Sequence, residues 1–168
     1  MNHIDDPRLT AMGLLSEVHA GLMDRLAPAL AGSGLSDVDF ETVLRLSRSP
    51  GQSLRMSDLA GQTGLSTSGV TRVVDRLERE GLVRRQPCAT DRRASYATLT
   101  GKGVERLEKV IPQHLKDIEE CFTGLLSEQQ LETFLETLRV IRDVVRPCAT
   151  AGAEGSHEAS PSHARPCS

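Results

Sequence analysis

Apolar positions recur every three or four residues along most of the chain, the period of a helix that buries one face. Between residues 8 and 31 the stripe is Leu15, Val18, Leu22 and Leu26, entered through Asp5, Asp6 and Pro7, which are N-terminal signals. Pro28 is expected to bend or end this helix, and "AGSG" closes the segment. A second helix starts at Ser36, where Asp39 three residues on resembles a capping box. Its stripe is Phe40, Val43 and Leu44, and "SRSPGQS" stops it. "MSDLAGQTG" then predicts a short helix with Ser57 as N-cap and Gly64 as its stop. Only Leu65 separates that glycine from Ser66, which opens "STSGVTRVVDRLEREG". Two short helices joined by a tight Gly-containing turn form the helix-turn-helix pattern.

Beyond Gly81 the period changes. "LVRRQP" and "ASYATLT" read as two short strands around a turn-prone loop, a β-wing. From Thr100 the helical spacing returns through Val104, Leu107, Ile111, Leu115, Ile118, Phe122 and Leu125, with Pro112 as an interruption. Ser127 and Gln130 suit a further capping box, followed by Leu131, Phe134, Leu135, Leu138, Ile141 and Val145. The tail lacks any such period and is rich in Ala, Gly, Ser and Pro, a composition that predicts disorder.

The expected fold is therefore mainly α with a small β-wing, a winged helix-turn-helix set between terminal helices. Its parts are an N-terminal dimerisation helix (1–34), a winged helix-turn-helix domain (35–100), C-terminal dimerisation helices (101–146) and a disordered tail (147–168). The terminal stripes are longer than the compact middle can cover, so a second copy of the chain is expected to bury the rest in a homodimer.

Composition adds less than pattern does. Aromatics make up 2% of the 168 residues and Trp is absent, so aliphatic side chains must fill the core. No apolar run approaches the roughly 18–20 residues of a membrane span. The N-terminus lacks the basic start and apolar stretch of a signal peptide, which favours a cytoplasmic protein with no membrane partner. Cys88, Cys121, Cys148 and Cys167 are scattered and are expected to be free thiols. No Ser/His/Asp ordering, metal-ligand cluster or Gly-rich phosphate loop is visible, so no enzyme, cofactor or metal site is expected.

The net charge of −3 conceals a local excess of the opposite sign. Residues 66–93 hold seven arginines and four acids, which puts a basic face on an acidic body, as phosphate binding requires. On a helical wheel, Val70, Val73, Val74 and Leu77 gather on one side of residues 66–80. Ser68, Arg72, Asp75 and Arg79 lie opposite, with Thr71 and Arg76 on the flanks. Short hydroxyls (Ser66, Thr67, Ser68, Thr71) followed by arginines suit a helix entering a DNA major groove by its N-terminus. Arginine can bond both O6 and N7 of guanine, and Arg72, with no acid four residues on, is the favoured base contact. Asp75 with Arg79 and Arg76 with Glu80 are also spaced as ordinary surface ion pairs, so Arg76 and Arg79 fit either role.

"LSTSGVTRVVDRLEREGLVRRQPCATDRRASYATLTGKG" resembles the core signature of the MarR family of bacterial transcriptional regulators, and the likeness runs from about residue 10 to 146. The resemblance implies a dimer on double-stranded DNA with a pseudo-palindromic operator, more often a repressor than an activator. It implies that the helix 66–80 enters the major groove while the wings reach flanking minor grooves. It also places an Asp-x-Arg pattern at Asp91 and Arg93: Arg93 would enter the minor groove, Asp91 would orient it, and Arg92 would meet phosphate. Many relatives answer to a small-molecule effector, metal or oxidant, but this chain departs from the known sensors. The first helix lacks cysteine, the five histidines are dispersed, and one Tyr with three Phe is a poor stock for an aromatic pocket. Two alternatives remain: a winged helix that contacts only protein, and a regulator answering to oxidation of Cys88 beside Arg84 and Arg85.

Overall fold

A computed structural model describes residues 3–88, 91 and 94–151. Arg92, Arg93 and the tail from 152 onward lie outside the described residues, and so do the expectations placed on them. The elements, in order, are α1 (Pro7–Gly32), α2 (Asp37–Ser47), β1 (Ser53–Arg55), α3 (Met56–Thr63), α4 (Thr67–Arg79), β2 (Val83–Pro87), β3 (Ser95–Leu99), α5 (Gly101–Cys121) and α6 (Glu128–Val145). The protein is mostly helical, with one small antiparallel sheet of order β1-β3-β2.

Helix ends follow the polar residues that precede them. Ser36 caps α2 in a reciprocal box with Asp39, and Ser127 caps α6 in the same way with Gln130. Ser66 caps α4, its Oγ accepting from the Gly69 N–H at 3.1 Å. α3 differs from expectation: it begins at Met56, so Ser57 lies inside it, and Arg55 occupies the cap position without its side chain bonding the helix's first turn. The cause is β1, a three-residue strand not anticipated from the sequence, whose last residue is Arg55. It pairs Ser53 with Thr98, Leu54 with Ala97 and Arg55 with Tyr96. Neither proline ends its helix, since α1 runs through Pro28 and α5 through Pro112. Both rings are exposed, where water can satisfy the carbonyl a proline leaves free.

The core lies between α2, α3, α4, the sheet and the start of α5. Val43, Leu46, Leu59, Val70, Val74, Leu77 and Leu82 have no exposed surface at all. Leu44, expected in the buried stripe, is half-buried at the edge of this cluster. The terminal helices contribute little to it. α1 buries only Leu26 and Leu30, and α6 buries nothing.

Two expectations about the C-terminus are corrected. Residues 147–151, assigned to a disordered tail, form a short 3-10 turn (Pro147–Thr150) packed on α3. Ala149 is buried there, and the Gln62 amide donates to the Ala151 carbonyl at 2.6 Å. The Arg146 guanidinium meets the carbonyls of Gly61 and Gln62 at 3.2 and 3.3 Å, supplying partners for the last carbonyls of α3. Cys148, expected to be a free thiol, is disulfide-bonded, whereas Cys88 and Cys121 form no disulfide.

Candidate nucleic-acid interface

The site is built on α4. Gly64 ends α3 in the left-handed region (φ 70°), which a side chain would resist, and the chain reverses there within two residues into Ser66. Val70, Val73, Val74 and Leu77 then anchor α4 by one face, as the spacing predicts. That anchoring aims the other face outward: Ser66, Thr67, Ser68, Arg72, Asp75 and Arg79 are exposed. The Ser66 and Ser68 hydroxyls lie 3.2 Å apart beside the free N–H groups of the first turn. Thr71 is half-buried, and its hydroxyl donates to the Thr67 carbonyl at 2.8 Å.

The arginines of α4 divide into distinct groups. Arg72 is exposed and has no hydrogen bond or ion pair to any described residue. Arg76 turns away from that face. Its Nε lies 3.0 and 3.2 Å from the two carboxylate oxygens of Asp39 on α2, and its Nη2 also bonds that carboxylate. The expected pairs Asp75–Arg79 and Arg76–Glu80 do not form. Asp75 instead takes Arg85 of β2 at 2.8 Å, and the Glu78 carboxylate accepts the Arg85 backbone N–H at 2.8 Å. Arg79 reaches only the Asp75 carbonyl, at 3.4 Å. α4 is therefore tied to α2 on one side and to the wing on the other.

The wing's strands pair from Val83 with Leu99 to Pro87 with Ser95. Beyond them Cys88 N–H donates to the Ala94 carbonyl at 3.0 Å, and Ala94 N–H to that of Asp91 at 3.0 Å. This puts Asp91, exposed, in the loop where Arg92 and Arg93 follow. One cation escaped sequence reasoning: Arg55 at the wing's base. Its Nε donates to the Tyr96 hydroxyl at 3.0 Å, and its guanidinium carbon sits 5.7 Å from that ring's centroid. The Tyr96 hydrogen bond and the charge of that same group, with smaller contributions from Cys88 and Asp91, raise its pKa further above the ordinary arginine value. "SLR" is too short to show the alternation that would have marked a strand.

A cavity of about 470 Å³ lies where α1, α2 and α5 meet the turn between α3 and α4. Leu26, Leu30, Leu44 and Leu65 form apolar wall, and Phe40 is its aromatic residue. His114 stands edge-on to Phe40 with ring centroids 4.6 Å apart, and its Nδ1 is buried without a partner. Among the described residues no group of three or more His, Cys, Asp or Glu is placed to hold a metal ion. Nor is any of their helices long and apolar enough to cross a membrane.

The comparisons agree with this geometry. A MarR family model matches residues 33–94, the span from the end of α1 into the wing loop. The MarR family regulator AbsC from Streptomyces coelicolor is 34% identical, with a TM-score of 0.79 over 88% of this chain and 99% of that one. Sco3205 from the same organism, a MarR family regulator solved in complex with DNA, is 28% identical. Its TM-score is 0.75 over 88% of this chain and 90% of its own. The transcriptional regulator MhqR of Bacillus subtilis is 29% identical over 126 residues, 75% of this chain and 85% of that protein. A helix-turn-helix with an exposed arginine face, a wing braced against it, and likeness to such regulators along most of its length lead to one assignment: the chain belongs to the MarR family of transcriptional regulators.

Proposed function

We propose that the protein acts as a homodimer on a pseudo-palindromic DNA operator in the cytoplasm and represses the genes beside it. The observation that carries the DNA reading is Arg72, a cation left without an internal partner on the exposed face of α4. A buried or paired arginine would be spent within the fold; a free one beside Ser66, Thr67, Ser68 and Thr71 suits contact with a base edge and its phosphates. At the wing, Arg93 is assigned to the minor groove, where a narrow groove concentrates negative potential. Asp91 orients it and Arg92 meets phosphate. The DNA complex of Sco3205 supports this reading by likeness.

The dimer is supported by what α1 and α6 leave uncovered. Leu9, Met12, Leu14, Leu15 and Val18 on α1 are exposed, as are Val140, Ile141, Val144 and Val145 on α6. Large apolar side chains exposed in such number along two helices mark an interface. The cavity beside the α3–α4 turn is the place assigned to a small-molecule effector, largely apolar to match its wall. Repression follows if the bound dimer excludes other proteins from its site.

Titrating the protein against random duplex at two salt concentrations tests the reading. Affinity should fall steeply with salt, as it does when cations on the protein displace counterions from phosphate. Binding that is absent, or indifferent to salt, would favour a winged helix that contacts only protein.

A further inference from the structure

The first turn of α2 makes an unusual commitment. Asp39 stands at its third position, and its carboxylate is almost wholly buried, with 7% of the side chain exposed. One oxygen, Oδ2, accepts from the Ser36 backbone N–H at 3.2 Å and the Ser36 hydroxyl at 2.6 Å. Both oxygens also receive Arg76 from α4, 37 residues away. An ordinary capping box needs no such partner, and Arg76, still 39% exposed, had solvent available to it. A two-oxygen grip by a guanidinium fixes direction as well as distance. The groove-facing helix is thereby held at one angle to α2.

The geometry points to Asp39 as a positioning residue for DNA reading: through Arg76 it sets the orientation in which α4 presents Arg72, and Arg76 itself contacts neither base nor phosphate. This inference rests on the proposed DNA reading. It reassigns Arg76, which the helical wheel left on the flank of the reading face. The consequence is that discrimination between sequences depends on a residue outside the helix-turn-helix motif. A tilt of α4 displaces Arg72 from a base edge while leaving the protein's attraction to phosphate intact, because attraction to phosphate tolerates misalignment and bidentate base bonds do not.

The test uses Asp39→Asn, Arg76→Gln and the double variant in the full chain, with Arg72→Ala as reference. Each is titrated against the duplex selected from random sequence by the wild type and against a scrambled duplex, at several salt concentrations. Melting curves confirm that each variant is folded at the assay temperature. Both single variants should lose discrimination by about tenfold, as directly bonded residues do, with the double variant no worse than either. Scrambled-duplex binding and the salt slope should stay at wild-type values. Arg72→Ala should itself lose discrimination between the two duplexes, which shows that the DNA reading holds; if it does not, that reading fails separately from the positioning role of Asp39. The inference is overturned if Arg76→Gln lowers the salt slope by about one, the mark of a lost phosphate contact. It is also overturned if the two losses add, or if stability falls while discrimination is unchanged. Should Asp39→Asn fail to fold, Arg76→Gln and Arg76→Lys decide alone. Lysine keeps the charge but not the two-oxygen grip, so equal losses in both support the positioning role and full rescue by lysine contradicts it.

Discussion

Arg72 and Arg76 lie one helical turn apart and carry the same charge, yet their surroundings give them different work. Arg72 is exposed and has no partner among the described residues, so its bonding capacity is free for DNA. Arg72→Ala should cost about 1–3 kcal/mol of operator binding and relax preference at one base pair of each half-site. A loss of equal size on every sequence would mark a phosphate contact instead. At the wing, Arg93→Ala should weaken operator binding and leave the oligomeric state unchanged; electrophoretic mobility shifts and sedimentation read the two separately. Gly103 makes a prediction about stability. A Cβ built there would lie 2.3 Å from the Leu82 carbonyl oxygen, because α5 starts hard against the exit from α4. Gly103→Ala should therefore lower stability by about 1–3 kcal/mol through overpacking, measurable as a fall in melting temperature.

At the scale of elements, most caps were legible in the sequence because they are local, Ser57 being the one that did not start its helix. Ser36 with Asp39, Ser66, and Ser127 with Gln130 each announce a helix start within four residues, and each was found at its helix. The buried stripe of α4 also followed from spacing alone. What depends on distant partners was not legible. β1 exists because β3 offers it a ladder, and its three residues carry no period of their own. Arg76 has Glu80 four residues on, a suitable local acid, but selects Asp39 on another helix, and no single-helix wheel can show that choice. The C-terminal turn has a composition typical of disorder. It is ordered by Gln62 and by Arg146 on the end of α3, contacts that only the folded chain brings together. The wing residues most important to the proposed site, Arg92 and Arg93, rest on the family resemblance.

For the whole molecule, the decisive feature is the imbalance between a well-filled middle and bare ends. Val18 on α1 and Val144 on α6 are half exposed or more, on helices with little or no buried surface of their own. Replacing both by Asp should shift the protein from dimer to monomer in sedimentation and abolish tight operator binding, while circular dichroism still reports a folded helical chain. An unchanged dimer would move the interface elsewhere. In the proposed dimer, two-fold symmetry would place each α4 in its own major groove. Footprinting the protein on a duplex selected from random sequence decides whether a symmetric dimer reads DNA in this way. Two protected half-sites related by a dyad are expected, with centres about 10 bp apart or a multiple of that. A single asymmetric half-site, protected by one chain, would contradict the dimer.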